Sequence, residues 1–139
     1  MIEIGMAEDL IGTEPPISPW SYSARLSSRD GRFTAAFEYE NEVCQGGPTY
    51  GRVVLSNGMT FDSCNPSFVW SNNSKYLAVP QWTHYREQRL LVINAELRTS
   101  KLLPEVFQVL ELHTFTDSMV QGIDSPVFMP TLVSIMTAT

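Results

Sequence analysis

Val69-Trp-Ser-Asn-Asn-Ser-Lys-Tyr-Leu-Ala-Val79 decides the reading of this chain: a short apolar strand, a polar turn of Ser and Asn, and a second strand that opens on an aromatic. Apolar residues on both sides of such a cluster mark an antiparallel hairpin. A looser copy stands 43 residues upstream, Leu26-Ser-Ser-Arg-Asp-Gly-Arg-Phe-Thr-Ala-Ala36. In it Ser28, Asp30, Gly31, Arg32, Phe33 and Ala35 align with Ser71, Asn73, Ser74, Lys75, Tyr76 and Ala78. Two hairpins of one kind at that spacing predict a repeated β unit.

Working outward, Tyr22, Ala24 and Leu26 alternate with serines and Arg25, the period of a half-buried strand. In the strand Phe33 to Glu42, Phe33, Ala35, Phe37 and Tyr39 share one face, while Thr34, Ala36, Glu38, Glu40 and Glu42 share the other. The second face is therefore expected to carry a row of three carboxylates about 7 Å apart. Tyr50 to Leu55 is a third strand, Ser56-Asn57-Gly58 a hairpin turn, and Met59 to Phe61 a short fourth strand.

The pattern restarts at Ser67 and runs through Tyr76 to Val79, where Pro80 is expected to end regular pairing or mark an edge. Gln81 to Arg86 is an aromatic-rich loop or strand extension, and Arg89 to Ile93 a buried-type strand. Residues 100–112 fit helical spacing through Leu103, Val106, Phe107 and Leu110, and fit a strand equally well. The preferred assignment is a turn near Pro104, a strand through Phe115, a turn at Thr116-Asp117-Ser118 and a return strand from Met119 to Ile123. The uncharged stretch from Val127 is expected to be a partly ordered end or a last edge strand. The expected organisation is one domain: an arm over 1–19, a first β repeat over 20–65, a second over 66–126 and a tail over 127–139.

The pairs Ser28-Arg-Asp-Gly-Arg-Phe33 and Ser71-Asn-Asn-Ser-Lys-Tyr76 resemble the turns of the β-propeller repeat family, especially its Ser-Pro-Asp-Gly-Lys-type blades, over roughly residues 20 to 100. The resemblance implies blade-like antiparallel sheets. Two blades cannot close a ring, which takes at least about four. The expected fold is thus all-β, with two blade-like antiparallel sheets packed as a sandwich or incomplete propeller, in a monomer or homodimer. Fold analogy supplies no catalytic residue.

With 139 residues, 43% of them hydrophobic and 17% charged, the composition is that of a packed globule. The formal net charge of −6 and pI near 4.8 disfavour nucleic acid phosphates and anionic membranes, and suit a basic protein partner. No apolar run approaches the roughly 20 residues of a membrane span. The acidic stretch from Met1 to Leu10 lacks the pattern of a secretory signal, so the expected compartment is the cytoplasm. In that reducing environment Cys44 and Cys64 are expected as free thiols.

The sequence has no phosphate-cradling loop, dinucleotide fingerprint, nucleophile elbow or His-Glu-x-x-His pair. Cys44, Cys64, His84 and His113 lack the close spacing of a zinc site, and no cofactor is expected. Two features point to protein binding instead. One is the row Glu38, Glu40 and Glu42, for which the competing reading is a solvated outer face. The other is Trp82, His84, Tyr85 and Arg86, since Trp, Tyr and Arg dominate interface hot spots. Here the competing reading places Trp82 and Tyr85 over the core. The expected function is a small, acidic, non-enzymatic protein that binds a basic partner, similar to bacterial immunity or antitoxin-type inhibitors. The alternatives are a self-assembling β module and a metal or carboxylate enzyme without a recognisable motif.

Overall fold

The computed structural model describes residues 15–83 and 86–137, which form eleven strands. A first unit comprises β1 (Ser23–Ser27), β2 (Thr34–Glu42), β3 (Thr49–Leu55) and β4 (Thr60–Cys64). A second comprises β5 (Val69–Trp70), β6 (Tyr76–Trp82), β7 (Gln88–Asn94) and β8 (Thr99–Phe107). A third comprises β9 (Leu110–Thr116), β10 (Met119–Asp124) and β11 (Thr131–Met136). The chain is all-β, with antiparallel pairing throughout. Eight strands form one sheet in the order β1-β2-β3-β4-β6-β7-β8 with β5 beside β6, and three form a second in the order β11-β10-β9. It is neither a closed barrel nor a closed propeller.

The large sheet is nearly two sheets. Its halves meet at a single residue pair, Cys64 with Gln81, so the first unit can fold back against the second. Strand alternation gives β6 and β7 two apolar faces. Leu77, Val79, Leu91 and Ile93 pack toward the first unit, against Ala35, Phe37, Val53 and Leu55. Ala78, Leu90 and Val92 pack toward the third unit, against Leu110, Leu112, Phe115, Val120 and Ile135. The second unit is therefore the middle layer of three, and its strands read as apolar runs because both faces are covered.

The two turns that suggested the repeat are built alike, bond for bond. Ser28 Oγ donates to Asp30 Oδ1 at 2.8 Å, Asp30 Oδ1 accepts from Arg32 N at 3.0 Å, and Phe33 N donates to Ser28 Oγ at 3.1 Å. The same three bonds run from Ser71 Oγ to Asn73 Oδ1 at 2.6 Å, from Lys75 N to Asn73 Oδ1 at 3.1 Å, and from Tyr76 N to Ser71 Oγ at 3.1 Å. Gly31 and Ser74 take the left-handed conformation at the same position, with φ of 77° and 67°. Ser74 bears the strain that glycine avoids, but its Oγ accepts from Asp30 N at 3.0 Å and ties one turn to the other. Trp70 adds a second tie by donating Nε1–H to the Leu26 carbonyl while stacking on Phe33 at 6.1 Å.

Several expectations need correction. Pro80 does not end its strand: β6 continues to Trp82, with Pro80 opposite Leu90. The Pro80 carbonyl accepts from Asn65 N, and a strand residue points its N–H and C=O to the same side. The missing donor therefore faces the gap where the neighbour changes from β5 to β4, and the ladder to β7 is intact. Residues 99–107 are a strand, not a turn region, and Pro104 sits within this edge strand, where proline is tolerated. The second repeat does not run to 126. A third unit begins at Leu110 and takes in the expected tail, whose last strand, β11, pairs with β10. Asp117, with φ of 57°, stands 43 residues after Ser74 and marks this third hairpin.

A buried polar bridge binds the third unit to the others. Asn65 Nδ2 donates to the Leu110 carbonyl at 2.9 Å and to Gln88 Oε1 at 3.2 Å; Gln88 Oε1 also accepts from Leu110 N at 2.7 Å. Ser67 N donates to Asn65 Oδ1, and Ser67 Oγ accepts from Leu112 N at 2.9 Å. All three side chains are buried.

Asn65→Ala strands several buried groups at once and should cost about 2–4 kcal/mol. Urea unfolding should show this, with Asn41→Ala, at an exposed position, within about 0.5 kcal/mol of the parent. Stability should also fall in acid through the first turn. Hydrogen bonds from Arg32 hold the Asp30 carboxyl at about 2, below its ordinary 3.8. A lowered native value gives stabilisation that is complete above 3.8 and lost as pH falls toward 2. The melting temperature of Asp30→Asn should accordingly fall less steeply across that window than the parent's.

Candidate functional site

The acidic strand is not a continuous row. Glu38 pairs with Arg52, Tyr39 with Gly51, Asn41 with Tyr50 and Glu42 with Thr49, so Glu40 is the extra residue of a β-bulge. Gly51 makes room for the break, since a Cβ there would lie 2.1 Å from the Glu38 carbonyl oxygen. Directly opposed residues share a face, and Arg52 and Thr49 lie on opposite faces of β3. Glu38 therefore faces outward and Glu42 lies on the other side of the sheet.

Glu42 is engaged locally. The Tyr22 hydroxyl donates to its Oε2 at 2.5 Å and Gly46 N to its Oε1 at 3.0 Å. The Tyr22 bond holds the Glu42 carboxyl below its usual range and raises the phenol of Tyr22. Tyr22 stands edge-on to Tyr39 at 5.0 Å. Glu38 and Glu40 remain exposed, but they are not alone on the outer face. Arg52, hydrogen-bonded to Asp62 at 3.1 Å, is held charged first by that bond and then by the fields of Glu38 and Glu40.

Trp82 and Arg86 fall where the sequence put them, at the end of β6 and in the loop after it. With Val43, Tyr50, Ser63 and Thr83 they line an open cleft of about 330 Å³. His84 and Tyr85 lie outside the described residues. The cleft exists because of the seam: Tyr50 comes from β3, Ser63 from β4 and Trp82 from β6, across the place where the two halves of the large sheet share one residue pair. A second irregularity shapes it. The β3–β4 register slips between Gly51 and Val53, and Ser63 takes a φ of 59°. Arg86 is likewise left-handed at 62°, in a tight loop where its N–H donates to the Thr83 carbonyl and Thr83 N to that of Glu87.

Trp82 does not simply cap the core. Its ring is half-buried, and its Nε1 is shielded from solvent with no acceptor among the described residues. Tyr50 and Ser63 were not anticipated; only a register count through both bulges would have placed them beside Trp82.

Among the described residues no three His, Cys, Asp or Glu side chains gather as metal ligands. His113 pairs with Glu111 at 3.0 Å. Cys44 and Cys64 are both free, one exposed and one buried. Burial pushes the Cys64 thiol up to about 12, which removes the thiolate that nucleophilic chemistry requires. No helix is long and apolar enough to cross a membrane among the described residues. Neither the protein-family models nor the curated proteins compared with this sequence match it.

Thiol titration of the native protein at neutral pH should find one rapidly reacting group, Cys44. Cys64 should react only with unfolding, and Cys44→Ser should abolish the fast phase.

Proposed function

We propose that this chain is a small acidic protein-binding protein of the immunity or antitoxin type, which occludes a basic toxin or enzyme by seating part of it at the cleft. The observation that carries the reading is the cleft wall itself: the half-buried Trp82 beside the exposed Arg86 and the ring of Tyr50. The indole N–H is closed to water as the ring stands, so in this reading the cleft offers a partner the ring face of Trp82, the phenol of Tyr50 and the Arg86 guanidinium. Trp, Tyr and Arg around a concavity are also the composition of an interface hot spot.

Charge has a separate role in this reading. A net charge of −6 accelerates encounter with a basic protein, while the cleft sets how long the complex lasts. Glu38 and Glu40 are the exposed carboxylates of the strand; Glu42 serves mainly to hold Tyr22 and the Gly46 loop. The reading departs here from a three-carboxylate face.

Capture from the source organism's lysate should return a stoichiometric basic protein. Trp82→Ala should then speed its dissociation at least about tenfold, with Trp82→Phe intermediate. Glu38→Lys with Glu40→Lys should instead slow association and flatten its salt dependence. A captured partner whose rates are the same for all three variants would exclude the cleft and the strand as its site, and recovery of no protein would remove the inhibitor reading.

A further inference from the structure

The edges of the two sheets are not alike. β9 is covered, its outward groups bonded to Gln88 and Ser67 and, at Phe115 O, to Asn72 N. β8 carries Lys101, Pro104 and Glu105, which discourage pairing, and β1 carries Arg25 and gives its Leu26 carbonyl to Trp70. β11 has none of these protections. It has no second neighbour among the described residues, and no charged residue occurs anywhere from Ser125 to Thr139. Its Leu132 and Met136 are 84% and 61% exposed, and Val127, Phe128 and Met129 just before it are also exposed.

We propose that β11 is a self-association edge, at which two copies of this chain pair antiparallel about a two-fold axis centred on Ser134. The register follows from the backbone. Thr137 N donates to the Ser118 carbonyl, so Thr137 belongs to a hydrogen-bonded pair with the residue before β10. Such pairs alternate along an antiparallel ladder. Thr131, Val133 and Ile135 therefore turn their backbone groups to β10, and Leu132, Ser134 and Met136 turn theirs to the open edge. A two-fold through Ser134 sets Ser134 against its own copy and Leu132 against Met136 of the second copy, and every outward N–H and C=O of the strand is met. A shift to a centre at Val133 would set Met136 against Pro130, which has no N–H to give.

The occupant is a second copy because the seam is self-complementary and free of charge. Two chains each carrying −6 repel over most of their surfaces and can meet most easily where no charge stands. Apolar Leu132 then lies beside apolar Met136 across the new pair, a favourable cross-strand contact. Edge pairing leaves the sheet face open, so the contact falls below the roughly 1,200 Å² of a standard interface and is a weak, concentration-dependent one. The edge involves none of the cleft residues, so this association and partner capture are separable.

The experiment is sedimentation velocity from low micromolar to a few hundred micromolar, together with oxidative cross-linking. The parent should shift from monomer toward dimer as concentration rises. Ser134→Pro removes an N–H that points away from β10, and Leu132→Lys with Met136→Lys adds charge at exposed positions. Both variants should remain monomeric, with thermal melts like the parent's. Residues in a hydrogen-bonded antiparallel pair have Cα atoms about 5.5 Å apart, within disulfide range. Ser134→Cys in a Cys44→Ser background should therefore form an interchain disulfide, and Gln121→Cys in the same background should not. A parent that stays monomeric throughout, or a dimer equally strong in the proline and lysine variants, overturns the proposal.

Discussion

A sheet edge buried inside a protein must find partners for its backbone, and here the partners are side chains. β9 lies against the second unit with its edge turned toward Asn65, Ser67 and Gln88, which supply the donors and acceptors that a neighbouring strand would have given. Asn65 comes from the connector between the first two units, Gln88 from the start of β7, and Leu110 and Leu112 from β9. The bridge thus ties the connector between the first two units to the second and third units through one set of buried hydrogen bonds. The apolar core between the second and third units is non-directional and would tolerate sliding; the polar bridge fixes register, because displacement would strand buried groups.

The layers follow from what each repeat can do alone. A four-stranded antiparallel unit buries one face at most, and stacking units face to face buries the rest, as in other repeat architectures. The middle unit contributes both faces to cores. The outer face of the first unit ends the stack in a polar manner, with Arg25, Glu38, Arg52 and Asp62 alternating in sign and each exposed. The third unit ends it differently, with an uncharged strand. The asymmetry makes head-to-tail addition of copies unfavourable, since a charged face would have to desolvate against an apolar edge.

Much of this architecture was legible because turn chemistry is local. Ser-x-Asp or Ser-x-Asn followed by a left-handed residue closes its own hydrogen bonds, so both turns could be read from a few residues each. The third unit was harder because Asp117 keeps the 43-residue spacing and the left-handed φ but lacks the serine that closes the turn. β8 was missed because Pro104 normally argues against a strand, and only its edge position makes it acceptable. The acidic strand shows the limit most clearly. Alternation placed Glu38, Glu40 and Glu42 on one face, and a one-residue bulge undid it. Nothing short-range in Glu38-Tyr-Glu-Asn-Glu42 announces that bulge; the residue that makes room for it is Gly51, on another strand.

The same irregularities explain why the cleft lies where it does. A continuous, well-paired sheet has no concavity between its strands, because backbone ladders hold neighbours about 4.8 Å apart. At the join of the first two units the ladder shrinks to one pair, and slips in the β2–β3 and β3–β4 registers redirect side chains beside it. Trp82 is the residue that suffers from the opening, since its indole N–H is shielded yet finds no acceptor among the described residues. A fold under selection for stability alone would be expected to fill such a gap with an apolar side chain or close the ladder. The core elsewhere is otherwise closely satisfied, with Gln88 Nε2 the other buried side-chain atom lacking a partner among the described residues. Both atoms lie beside the irregular joins between units, Trp82 at the cleft and Gln88 in the polar bridge, so the unmet donors mark where regular pairing gives way.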